Sequence, residues 1–172
     1  MINSNTNINS ILYRHSPVIL LFISILNEID FNNLEFKYFS FNFAYILIFY
    51  YSLKRESGIG YISIFFAGLF NDVVNGTPMG ISSLCYLLLC AAASYLKNIT
   101  LRPNIFKDWI FFLITNFILN FITFTYLIIF FNYEINYFDQ IVNITFTFLL
   151  YFLFSNLFNF FENYFLGNNN VR

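Results

Sequence analysis

GIGYISIFFAGLFNDVVNGTPMGISSLCYLLLCAAASYL, residues 58–96, joins two apolar segments through a polar, glycine-rich joint. Every fourth residue reads Gly60, Ile64, Gly68, Asp72, Gly76 and Gly80, and positions four apart share one face of a helix. Gly68 and Asp72 therefore lie on one stripe of the first segment, and Pro78 stops that helix before Gly80. A carboxylate at the centre of a membrane helix costs roughly 2.5–3.5 kcal/mol, and less near an end. Asp72 stands near its segment's end and has two readings. Either it faces the protein interior and holds a partner, such as backbone N–H groups freed around Gly76-Thr77-Pro78, or it is a helix-end aspartate wetted by headgroup water.

Working outward, composition sets the class. Hydrophobic residues make up 59% of the chain and charged residues 10%, whereas soluble domains carry about 25% charge. Such a chain cannot clothe a water-facing surface, and it reads as an all-α, polytopic integral membrane protein. The net charge of −1 and the lack of a long basic cluster give no sign of nucleic acid. Cys85 and Cys90 share one apolar segment at a spacing that suits packing better than a metal. No cofactor or metal is expected. The abundance of Phe, Ile, Asn and Tyr suits a strongly AT-biased coding sequence, so a single asparagine carries little weight.

The chain divides into a polar N-terminus over residues 1–10, one transmembrane domain of about six helices over 11–166, and a polar tail over 167–172. The first span has its apolar core at Val18–Leu26, after Arg14, His15 and Pro17, and is expected to extend back over Ile11 and Leu12 with Arg14 snorkelling to the headgroups. It reads as an uncleaved helix, since no small-residue cleavage site follows. Residues 27–37 form an acidic loop. Spans are then expected over about Tyr38–Leu53, Ile59–Asn75, Met79–Leu96, Trp109–Phe131 and Ile141–Phe161. Residues 97–108 read as a basic loop, and Trp109, the only tryptophan, as an interfacial anchor. Ser82, Ser83, Cys90, Ala91, Ala92, Ala93 and Ser94 give the fourth span small residues that let backbones approach. Asn116 and Asn120 with Thr123, and Asn156 with Asn159 and Asn163, form polar stripes. Such stripes either hydrogen-bond between helices, at roughly 0.6 kcal/mol each, or reflect composition.

Orientation follows from the basic residues. All but one of the eight lie at the N-terminus, in the second and fourth connections or in the tail, and the exception is Lys37. Both termini are therefore expected in the cytoplasm, with the Asp72–Gly80 joint toward the outer face.

Gly68-Leu69-Phe70-Asn71-Asp72 followed by Gly76-Thr77-Pro78-Met79-Gly80 resembles the signature of the bacterial rod shape-determining membrane protein MreD family. That signature is Gly-Leu, an Asp three residues beyond the Leu, a Gly four later, then Pro and Gly. It makes Gly68, Leu69, Asp72, Gly76, Pro78 and Gly80 the interaction or structural motif, with Asn116, Asn120, Asn156 and Asn159 as polar helix-packing residues. The family pattern would also place an aromatic, a basic residue and a proline at the end of the second span. Here Tyr51-Ser52-Leu53-Lys54-Arg55-Glu56 lacks the proline.

The resemblance implies a non-catalytic inner-membrane component of the cell-elongation machinery of lateral peptidoglycan synthesis. It would maintain cell shape as a scaffold for MreC and, through the complex, for MreB, RodA and a class B transpeptidase. It also implies a fold resembling the substrate-binding subunits of energy-coupling-factor transporters. The alternative is therefore a vitamin-type binding membrane subunit of such a transporter, whose ligand the acidic outer loops and asparagine stripes would hold. An enzyme is not expected: the lone His15 is remote in sequence from Asp72, and no span carries paired carboxylates.

Overall fold

The computed structural model describes residues 16–25, 41–54, 59–100, 104–132 and 136–167, with side chains up to 161 in the last stretch. The described residues form six helices and no strand: α1 (Ser16–Ile25), α2 (Phe43–Lys54), α3 (Tyr61–Asn75), α4 (Ile81–Ile99), α5 (Ile105–Phe131) and α6 (Tyr137–Gly167). The expected polar N-terminus, the acidic loop and most of the tail lie outside the described residues, although Gly167 belongs to α6.

Local chemistry sets the helix ends, and several differ from the spans expected above. The second span begins at Phe43 rather than Tyr38 because Asn42 is an N-cap, its Oδ1 accepting from the Tyr45 backbone N–H at 3.1 Å. The expected loop over residues 97–108 is mostly helix. α4 continues through Lys97, whose charge suits a helix C-terminus, and α5 starts at Ile105 behind the Asn104 cap, with Asp108 in its first turn. Asn136 caps α6 in the same way, accepting from Phe138 N–H and donating to Asp139.

α5 and α6, 27 and 31 residues long, are long and apolar enough to cross a bilayer. Only 28% and 22% of their most apolar windows are buried. The core helix of a soluble domain would be buried along most of its length. Here the outward positions are Phe117, Ile118, Phe121, Ile129, Phe152 and Leu153, side chains at home in lipid.

α2 is built differently. Its 12 residues reach about 18 Å, too short for the expected span through a hydrocarbon core of about 30 Å. Ala44 through Tyr51 are all buried, without interruption. A helix apolar on every side belongs in the middle of a bundle, and α2 is the axis of this one. α4 and α6 flank it: Tyr45 meets Tyr86 edge-on with centroids 5.7 Å apart, Ser52 Oγ donates to Cys90 Sγ at 3.2 Å, and Phe43 packs on Phe154. Phe49, Phe112 and Tyr151 form an aromatic knot between α2, α5 and α6, with Phe112 and Tyr151 stacked at 4.4 Å. Trp109, expected as an interfacial anchor, packs against α6 near the start of α5. It stacks on Phe148 at 4.4 Å, and its indole N–H donates to the Phe148 carbonyl at 2.9 Å. A half-buried indole needs a partner for its one donor, and this carbonyl supplies it.

Candidate functional site

The α3–α4 joint is the most tightly constructed part of the chain. α3 ends where Gly76 takes the left-handed conformation, φ 64°, and both Gly76 N–H and Thr77 N–H donate to the Asp72 carbonyl. This is the glycine C-cap arrangement, so Gly76 terminates the helix and Pro78 lies two residues beyond. Gly80, φ 102°, then opens α4.

The start of a helix leaves backbone N–H groups without intrahelical partners. At α4 the side chain of Asp72 supplies acceptors from the neighbouring helix. Its Oδ2 accepts from Gly80 N–H at 2.7 Å, and its Oδ1 accepts from Ser82 N–H and from Thr77 Oγ1, each at 3.0 Å. The carboxylate is fully buried and lies at the positive end of the α4 dipole. It is therefore no surface aspartate wetted at a helix end. One residue thus ends α3 with its carbonyl and begins α4 with its carboxylate.

Gly68 and Ser83 bring the two helices into backbone contact beneath that turn. A Cβ built on Gly68 would lie 2.5 Å from Ser83 N and 2.9 Å from the Ser82 carbonyl carbon, and closer still to Ser83 Cα. Ser83 Oγ donates to the Phe65 carbonyl and Asn71 Nδ2 to Ser82 Oγ, each at 3.0 Å. Asn71 Oδ1 is buried without a partner among the described residues. Leu69 is half-buried, and Pro78 is half-buried within the turn.

The asparagine stripes behave unequally. Asn120 Nδ2 turns back onto its own helix, donating at 2.8 Å to both the carbonyl and Oδ1 of Asn116, so the expected interhelical ladder does not form there. A helical asparagine amide competes well for a carbonyl one turn earlier. Asn116 is buried, with its Nδ2 unpartnered among the described residues. Thr123, on the same stripe, does cross to another helix, 3.1 Å from Cys85 Sγ. On α6, Asn156 is exposed. Asn159 faces α2, and its Oδ1 accepts from Lys54 Nζ at 2.8 Å and from Tyr50 OH at 3.0 Å.

That last contact belongs to a second polar group which sequence reading missed. Lys54 Nζ also stands 5.8 Å from the Tyr50 ring centroid, and its charge acts on the buried carboxylate of Asp108. Lys54 and Asp108 lie at helix ends far apart in the chain, and the packing of α2 with α5 and α6 sets both at the same end of the bundle. The available signal was their shared flank in the sorting of basic residues. Chemically, both polar groups hold backbone and side chains in place, and among the described residues no three of His, Cys, Asp or Glu gather as metal ligands would.

A family model described as rod shape-determining protein MreD matches residues 9–161. No curated protein and no solved structure matches the chain.

Proposed function

The chain belongs to the rod shape-determining protein MreD family, and from that membership we propose that it is a non-catalytic scaffold of the cell-elongation machinery in the bacterial inner membrane. The family match along nearly the whole chain carries this reading. The α3–α4 joint supports it, because a carboxylate committed to three hydrogen bonds within one turn serves to hold a surface in shape. Its partners in this reading are MreC and, through the complex, MreB, RodA and a class B transpeptidase. The chain crosses the membrane several times with both termini in the cytoplasm, in a bundle of the kind found in substrate-binding subunits of energy-coupling-factor transporters.

The test is co-purification from detergent extracts of rod-shaped cells that make the tagged chain in place of their own family member. MreC should be recovered with the parent and with the lipid-face variant Phe117→Leu, and recovery should fall severalfold with Asp72→Ala. Cells whose rod shape is restored while neither MreC nor RodA is enriched would leave the scaffold reading without support.

A further inference from the structure

Asn116 belongs to the inward stripe of α5, between Phe112 and Thr123. It is 1% exposed, and its Nδ2 has no acceptor among the described residues. Hydrogen-bond chemistry settles which atom of the amide is left over. Asn120 Nδ2 stands 2.8 Å from both the carbonyl oxygen and the Oδ1 of Asn116. Reversing the Asn120 amide would press its oxygen against that carbonyl. With Asn120 so fixed, reversing Asn116 would set one NH2 group against another. The group without a partner is therefore an NH2, which has two donors to place and nothing to accept with. Left dry among membrane helices, such a donor is costly.

The neighbouring layer shows what could satisfy it. Phe112 stacks on Tyr151 of α6 at 4.4 Å, and Phe49 of α2 packs on both. α5 runs antiparallel to α6. One turn on along α5 and one turn back along α6 therefore bring Asn116 and Thr147 to the next inward layer above that aromatic knot. Thr147 is fully buried. Its Oγ1 accepts from the Asn42 backbone N–H at 2.8 Å and stands 3.5 Å from Asn143 Oδ1. A hydroxyl oxygen has a second lone pair to offer. Both groups are neutral and the floor beneath them is aromatic, so an ion would be poorly solvated there. The smallest molecule that can accept from the amide and donate to the hydroxyl is water.

We propose that Asn116 and Thr147 bind a buried water molecule, which accepts from Asn116 Nδ2 and donates to Thr147 Oγ1. Thr147 also holds the first turn of α2 through Asn42, so this water ties α5 to α6 and, through α6, to α2. The asparagine stripe of α5 then joins helices through solvent, in place of a direct ladder of side chains.

The measurement is magnetisation transfer from water to individual N–H groups, by solid-state NMR of the 15N-labelled full chain in vesicles of deuterated lipid. Loss of a signal in Asn116→Leu identifies the Asn116 NH2, and sequential assignment does so if that variant does not fold. The backbone N–H of Phe112, fully buried in the same helix, is the dry reference. The Asn116 NH2 should receive magnetisation severalfold faster than that reference. Thr147→Val should slow the transfer toward the reference rate, and Thr147→Ser, which keeps the hydroxyl, should leave it unchanged. An Asn116 rate no faster than the reference in the parent would mean a dry donor and overturn the proposal. So would a rate that Thr147→Val leaves untouched, since the water would then have another partner. Thermal unfolding in detergent gives a second readout. Asn116→Leu, close in volume, expels the water and should lower the melting temperature by about 2–4 °C. A dry donor would instead be relieved by leucine, so a rise in melting temperature would also overturn the proposal.

Discussion

A carboxylate placed among apolar helices is costly unless its acceptors are filled, and Asp72 fills them with donors that would otherwise be orphaned. Removing it leaves Gly80 N–H, Ser82 N–H and the Thr77 hydroxyl without their acceptor. Asp72→Ala should lower stability by about 2–4 kcal/mol, the cost of unpaired buried donors. Asp72→Asn, which keeps one acceptor oxygen, should fall between the alanine variant and the parent in thermal unfolding in detergent. Gly68→Ala should cost about 1–3 kcal/mol by overpacking against Ser83, whereas Leu69→Phe, at a half-buried position, should leave the melting temperature close to the parent's. The shared stripe of Gly68 and Asp72 was legible in the sequence because four-residue spacing fixes a helix face. The identity of the donors was not, because spacing does not say which N–H groups a turn leaves open. The reading looked to the residues around Gly76, while the carboxylate reaches on to Gly80 and Ser82.

At the scale of the element, hydrophobicity located all six described helices but did not show that α2 is enclosed by the others. An apolar run does not distinguish a helix facing lipid from one enclosed by other helices, since both are apolar all round. The cap at Asn42 and the uninterrupted burial of Ala44–Tyr51 decide the matter for α2. The asparagine stripes show the same limit. Asn159 and Asn156 stand three positions apart on α6, yet one accepts two hydrogen bonds from α2 and the other is exposed. Asn159→Ala should therefore destabilise the bundle by about 1 kcal/mol, with Asn156→Ala neutral. Chemical or thermal unfolding of the two variants beside the parent checks this, and equal losses would refute the assigned contact.

For the whole molecule, direction alternates along the chain, so that α2, α4 and α6 run one way and α3 and α5 the other. Lys54 and Asn159 therefore meet at the end of the bundle where Asp108 also lies, and the Asp72 joint stands at the opposite end. If basic residues mark the cytoplasmic side, a cysteine replacing exposed Lys107 should resist an impermeant thiol reagent in intact cells and react once the membrane is opened. Cys85 and Cys90, each 3% exposed, should contribute little background. Labelling of Lys107→Cys in intact cells would invert the orientation. The sorting of charges was legible in sequence, whereas the meeting of Lys54 with Asn159 was not, because it depends on how α2 and α6 pack.

The partners of α2 on α6 have a consequence for how the chain is made. The Asn42 backbone N–H donates to Thr147 Oγ1, and Lys54 donates to Asn159, so both ends of α2 are tied to residues 105 positions later. A ribosome delivers α2 long before α6 exists. During that interval a helix too short to cross the membrane waits with Lys54 and Tyr50 lacking their acceptor on α6. Chains released after residue 132 should thus be cleared by membrane proteases much faster than full-length chains in a pulse-chase experiment, although they carry the complete Asp72 turn. Supplying residues 136–172 as a separate polypeptide should slow that clearance. If the truncated chains proved as long-lived as the parent, α2 would not depend on the last helix to settle.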